Sequence, residues 1–327
     1  MLRPLSVLLV LSSFLASSTA QTTLFFPRNL QKPYEKGTRS WDGKPGPNYW
    51  QNRANYIITA TLDPKSRRLS GEETVTCFNN SPDSLKQIRF KLQHDRYRKG
   101  GQRAYDVASS DVSDEGVRIE ALTYNGANVD EKDHRRFSTF LDINLKNNPL
   151  PPKSTATMTV RWSYTLPADE GAAREYASDS TIFFVPYWYP QIAVYDDLRG
   201  WADAPYTGLY EFYHGFADYD VTISMPPGFQ VWATGELQNA ADIFTPTYLE
   251  RWQKAHSTSD VISIFSEKEL KAGGIYKKTA QNVFKFKALD VPDFAFAASN
   301  HYNWDATSVV VDDKTGRRTF VSAAYNT

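Results

Sequence analysis

The chain has 327 residues, of which 37 are basic and 37 acidic, so its formal charge is zero. That length can bury a sizeable core in one large or two modest domains, and the charge balance lacks the basic excess that nucleic-acid binding requires. The single cysteine, Cys77, excludes an internal disulfide and leaves the fold resting on its core.

The chain opens on Met1-Leu2-Arg3, runs through a stretch rich in Leu, Val, Ser and Phe over residues 6–15, and reaches the small residues Ser18-Thr19-Ala20. This pattern predicts a secretory signal over residues 1–20 and a mature chain starting near Gln21. The apolar run is too short to span a bilayer, and charged or polar residues interrupt every later apolar stretch. The product is therefore expected to be exported, periplasmic or extracellular, with no membrane span after cleavage. Residues 21–52, rich in Pro, Gly, Lys and Asn with scattered aromatics, read as an extended arm.

Residues 53–311 read as one domain. Tyr56, Ile58, Ala60 and Leu62 alternate with polar partners, the period-two signature of a half-buried strand, and the same alternation returns at Ile88, Phe90 and Leu92, at Val117, Ile119 and Ala121, and at Ala156, Met158, Val160, Trp162 and Tyr164. Turn chemistry separates these runs at Asp63-Pro64, Asn79-Asn80-Ser81-Pro82 and Asn125-Gly126, the last a favourable pair for a tight hairpin. Cys77 lies in one such strand and reads as a buried small hydrophobe. Further on, strands around Val221 and Val231 read as joined by a short turn at Pro226-Pro227-Gly228, continuing the antiparallel pattern. Residues 246–257, with Thr245 as cap and Tyr248, Leu249 and Trp252 at helical spacing, predict a helix, and residues 266–272 one more turn. Strands return around Phe284, Ala297, Val309 and Val321. Many short strands without interleaved helices predict a mainly β fold, an antiparallel β-sandwich or curved sheet with one or two short helices.

Catalytic motifs are scarce. The five histidines (His94, His134, His214, His256 and His301) include no pair four apart, so the H-E-x-x-H metal motif is absent and no metal ligand is assigned. His94 and His134 lie in charged, loop-like sequence and read as solvated. Neither a G-x-S-x-G elbow nor a phosphate-binding glycine loop occurs, and the couplets Asp196-Asp197 and Asp312-Asp313 read as turn acids, because adjacent strand residues face opposite ways. One stretch stands apart: thirteen aromatic residues crowd residues 183–219, among them Tyr187, Trp188 and Tyr189. Such residues fill the space between packed layers or line a groove for peptide or sugar.

Read in order, Tyr56-Ile57-Ile58-Thr59-Ala60-Thr61-Leu62-Asp63, Leu69-Ser70-Gly71-Glu72-Glu73, Asn79-Asn80-Ser81-Pro82, Trp188-Tyr189-Pro190-Gln191, Ala217-Asp218-Tyr219-Asp220-Val221, Ala233-Thr234-Gly235-Glu236-Leu237 and Asp293-Phe294-Ala295-Phe296 resemble the front part of the aminopeptidase N-type (gluzincin, membrane alanyl aminopeptidase-like) zinc metallopeptidases. The resemblance covers most of residues 50–311. It implies a saddle-shaped amino-terminal β domain that walls the active-site cleft of the whole enzyme, where the substrate is a peptide and zinc the cofactor. The family's G-x-M-E-N loop and H-E-x-x-H motif would follow residues 312–327, which read as the start of a link to a catalytic domain. No zinc and no catalytic residue are assigned to this chain, which is expected to be inactive alone. The family often lends a Gln or Glu to the substrate's free amine ahead of the Trp188 segment. Here that approach reads Phe183-Phe184-Val185-Pro186-Tyr187, so the substrate-binding candidates are Tyr187, Tyr189 and Gln191. The alternative is a free-standing β-sandwich that binds peptide or carbohydrate through its aromatic stretch.

Overall fold

The alternation read in the sequence becomes strand after strand in the computed structural model, which describes residues 26–145, 147–168, 176–178, 181–209 and 213–326. The signal-like residues 1–20 and the expected mature start at Gln21 lie outside the described residues, as do Tyr210 and Phe212 of the aromatic stretch.

Two compact units divide the chain, residues 1–49 and residues 50–327. In the first, the extended arm expected for residues 21–52 is corrected: the helix Arg28–Glu35 forms instead. Aromatic residues scattered in sequence explain it. Tyr34 on the helix stacks on Trp41 at 4.2 Å, and Phe26 packs against both at 5.2 and 5.0 Å. The Asn48 side chain donates to Lys36 O at 2.9 Å and closes the returning loop.

The second unit is built on an eight-stranded sheet whose order across the sheet is Glu236–Leu237, Asn282–Val291, Ala217–Met225, Arg53–Asp63, Arg68–Asn79, Ser154–Thr165, Arg118–Tyr124 and Ala127–Asn128. On strand 53–63 the buried residues are Ala54, Tyr56, Ile58, Ala60 and Leu62, and on strand 154–165 they include Ala156, Met158, Val160, Trp162 and Tyr164, the faces that period two assigns. Each large side chain buried this way contributes about 1.5–3 kcal/mol. Cys77 is buried among them, and burial pushes its thiol up to about 12. Gly71 faces the ring of Trp162, which a Cβ there would meet at 2.8 Å. Asn125 and Gly126, at φ 49° and 80°, turn strand 118–124 into strand 127–128.

Two expectations change. Strand 53–63 pairs parallel with strand 217–225, in a sheet whose other pairs are antiparallel. Pro226-Pro227-Gly228 does not close a hairpin: it carries the chain from strand 217–225 to strand Gln230–Ala233 of another sheet. That four-stranded sheet runs Gln230–Ala233, Phe296–Ser299, Ile182–Val185 and Tyr176–Ser178; another runs Gln191–Ile192, Gln87–Lys91, Phe140–Asn144 and His134–Phe137. A three-stranded sheet joins Ile262–Phe265, Asn303–Asp312 and Arg317–Tyr325, so residues 317–325, read as part of a link, pair with residues 303–312 in a hairpin.

The helices Pro246–Ala255 and Glu267–Ala272 stand where the sequence places them, and Ala240–Ile243 adds a short turn. Ser266 and Glu269 form a reciprocal capping box. Thr245 occupies the cap position of helix 246–255 without capping it, because its hydroxyl donates to Gly274 O at 2.8 Å.

The turn after strand 68–79 is held by one buried amide. Asn79 Nδ2 donates to Asp83 O and to Pro151 O, both at 2.8 Å, while its Oδ1 accepts from the Ser81 hydroxyl at 2.6 Å. Replacing the buried Asn79 with Ala removes these partly buried hydrogen bonds and is expected to lower stability by about 2 kcal/mol. Urea unfolding checks this, and a loss within error of zero would contradict it.

Candidate functional site

The loop between strands 182–185 and 191–192, which contains Tyr187 and Tyr189, crosses from one sheet to another, and residues 292–295 cross in the same region. Crossing strips backbone groups of ladder partners, and buried groups of that kind need new ones. Aromatic side chains supply them: the Trp188 indole donates to Phe294 O at 2.9 Å, and the Tyr56 hydroxyl accepts from Ile192 N at 3.0 Å.

Around this crossing three tyrosines close on one carboxylate. Tyr56 stacks on Tyr219 at 5.0 Å and 7°, and Tyr189 stands edge-on to both. Tyr189 Oη lies 2.8 Å from Asp293 Oδ1 and 2.8 Å from Tyr219 Oη. A phenol has one proton, so Tyr189 donates to the carboxylate and accepts from Tyr219. Gln191 Nε2 donates to Tyr189 Oη at 3.2 Å and lies 3.3 Å from His214 Nδ1, which is itself 3.2 Å from Pro292 O. Lys91 donates to Tyr213 O from the same pocket.

Electrostatically this is a desolvated cluster that suppresses charge. Burial pushes Tyr56, Tyr189 and Tyr219 well above the ordinary phenol value. Burial also raises Asp293, although Tyr189, Phe294 N and Lys91 pull it back. Lys91 is lowered to about 8 by burial, against the attraction of Asp293, and His214 is lowered to about 3 by burial and by Lys91. His214 is therefore neutral at neutral pH, and its 3.8 Å approach to Asp293 is no ion pair.

Of the sequence candidates, Tyr189 and Gln191 are brought together and Tyr187 is not: Tyr187, at φ 53°, packs on Tyr206 at 5.7 Å. Tyr189 is 2% exposed and Gln191 4% exposed, and Gln191 Oε1 is buried with no hydrogen-bond partner among the described residues. The aromatic stretch divides: Phe183, Trp188, Tyr189 and Tyr219 are core, whereas Phe184, Tyr213 and Phe216 are exposed.

Sequence reasoning missed Lys91, His214, Asp293 and Glu73. Lys91 reads as the outward partner of Phe90 and Leu92, yet it ends its strand and is buried. Glu73 was legible, since it falls in phase with Val75 and Cys77 on the inner face. His94 is a correction: it is buried and stacks on Tyr164 at 3.8 Å, because the neighbouring Asp95 pairs with Arg136 and folds the loop inward. His134, by contrast, is partly exposed, with its ring near Asp130 O. Asp196 and Asp312 hold turns, accepting from Leu198 N and Lys314 N respectively.

Among the described residues no three His, Cys, Asp or Glu side chains are grouped to share a metal ion, and no helix is long and apolar enough to cross a membrane. His214, Lys91 and Asp293 do not make a zinc donor set.

No protein-family model matches the chain, and no curated protein matches it. Among solved structures it is similar to a mutant M1 zinc metallopeptidase from Deinococcus radiodurans bound to a Tyr-Ser-Ala substrate, at a TM-score of 0.47 and 13% identity over 86% of this chain and 49% of that one. It is also similar to Legionella pneumophila aminopeptidase A in complex with aspartic acid, at a TM-score of 0.43 and 13% identity over 83% of this chain and 23% of that one. The chain thus spans about half the length of the first and about a quarter of the second. At such identity and TM-score the likeness says nothing of activity.

Glu73 lies under the tyrosines, fully buried, with neither carboxylate oxygen hydrogen-bonded among the described residues, and burial raises it well above 4.5. In the unfolded chain it ionises near 4.5, whereas the folded protein keeps it protonated. Its contribution to stability is therefore complete below pH 4.5 and is lost as pH rises toward the folded value. The stability gained by Glu73→Gln over the parent is expected to grow as pH rises from 4.5 to 8. Thermal melts across that range check it, and a difference independent of pH would contradict it.

Proposed function

We propose that this chain is the amino-terminal β domain of an exported zinc aminopeptidase and that it walls the cleft in which a peptide's first residue is held. One observation carries the reading: the family-like segments fall, in chain order, on elements that meet around one crossing. The Tyr56 and Gly71 segments form the paired strands 53–63 and 68–79, the Tyr219 segment forms strand 217–225 beside them, and the Trp188 and Asp293 segments supply the crossing itself. Export is supported by the signal-like residues 1–20.

Within this reading the domain supplies shape and no chemistry. Hydrolysis by such an enzyme uses a metal to polarise the scissile carbonyl and a bound water, and that donor set belongs to the H-E-x-x-H module. Tyr189 and Gln191 then act as positioning residues. They fix the Trp188 loop from behind, with the amide acceptor of Gln191 held inside the protein, while Phe184 and Tyr187 offer the more accessible aromatic surface on either side.

The chain is expected to release no amino acid from aminoacyl amides, with or without added zinc. A chromogenic amide assay tests this, and release that a chelator abolishes would overturn the reading.

A further inference from the structure

A second concavity lies away from the tyrosine crossing. Strand 230–233, the end of helix 246–255 and the hairpin of strands 303–312 and 317–325 enclose a cavity of about 490 Å³. Its walls are aromatic. Trp232 and Trp304 meet edge to face at 6.1 Å, and the His256 ring is held between Trp252 at 4.0 Å and Phe320 at 4.1 Å.

The charged groups on this lining are mostly basic. Trp304 is 4% exposed, and the indole nitrogens of Trp304 and Trp232 are both buried with no hydrogen-bond partner among the described residues. Both nitrogens are closed off from solvent, so the indoles offer the cavity apolar ring surface and not their N–H groups. Arg318 is fixed by hydrogen bonds from Nε to Ser308 Oγ at 2.8 Å and from Nη2 to Ser259 Oγ at 2.8 Å and Ser308 O at 2.6 Å. Its neighbour Arg317 also lines the cavity, and its guanidinium has no partner among the described residues. Glu236 is the acid on the lining; the two arginines outweigh it.

From this we propose that the cavity is a binding site for a small carboxylate carried on a flat apolar ring. The ring fits between aromatic faces, and the carboxylate pairs with the exposed Arg317 guanidinium on the lining in charge-assisted form. A neutral sugar fits less well, because it carries no charge for the arginines on the lining to pair with. The site shares no residue with the tyrosine network and does not depend on the peptidase reading.

The test uses the full chain, with 2-naphthoate and its neutral isostere 2-naphthamide as probes. Naphthoate is expected to bind in roughly the millimolar range or tighter, as its size allows. In proton–nitrogen correlation spectra it should shift the indole N–H signals of Trp232 and Trp304, identified through Trp→Phe variants. Naphthamide should bind about tenfold more weakly, and Arg317→Gln should remove that difference. Ser322→Trp, at an exposed lining position on the hairpin, should fill the cavity and abolish binding of both probes while leaving the circular dichroism spectrum unchanged. Equal affinity for acid and amide would overturn the proposal. So would no binding of naphthoate up to about 10 mM, or binding that survives both Arg317→Gln and Ser322→Trp.

Discussion

Backbone that leaves one sheet for another must find hydrogen-bond partners outside any ladder, and in this protein that requirement is met by aromatic side chains with polar ends. Trp188, Tyr56, Tyr189 and Tyr219 each bury a ring between layers and spend the polar atom on the crossing, through Phe294 O, Ile192 N, Asp293 and one another. A Phe at any of the three tyrosine positions would fill nearly the same space and leave the crossing unsatisfied. The eight-stranded sheet, the sheet of strands 182–185 and 296–299 and the sheet of strands 87–91 and 191–192 all reach this point. Their mutual placement therefore rests on a handful of hydroxyls and one carboxylate.

Burial dictates the chemistry of that cluster as much as its geometry. Desolvation disfavours charge of either sign, so the phenols and Asp293 are raised while Lys91 and His214 are lowered. Near neutral pH the phenols and His214 are neutral while Lys91 stays mainly protonated, and their hydrogen bonds hold the loops in register. A positioning role for Tyr189 and Gln191 agrees with this balance. The aromatic cavity beside the 303–325 hairpin has a different character: its charged groups are mainly basic, and Arg317 on its lining is exposed.

Much of the fold is legible in the sequence because alternation is a local signal. Ala156, Met158, Val160, Trp162 and Tyr164 announce their strand and its buried face together, and Asn125-Gly126 announces its turn because both residues tolerate positive φ. Pairing partners are not local. Nothing around Tyr56 or Tyr219 distinguishes the parallel pairing of their strands from an antiparallel one, and Pro226-Pro227-Gly228 reads the same whether the chain doubles back or changes sheets. The site was half legible. Tyr189 and Gln191 lie in one short run, but Lys91, His214 and Asp293 come from distant segments, and only the fold assembles them. His94 failed because the ion pair of Asp95 with Arg136, which turns the loop inward, is formed by residues 41 apart in sequence.

The claim that the tyrosine–carboxylate link joins the sheets is tested most directly by a double-mutant cycle on Tyr189→Phe and Asp293→Ala, read by urea unfolding. A coupling energy above about 1 kcal/mol is expected, since the two side chains share a buried hydrogen bond. Losses that add to within about 0.3–0.5 kcal/mol would show two independent residues, and the account of the crossing would fail.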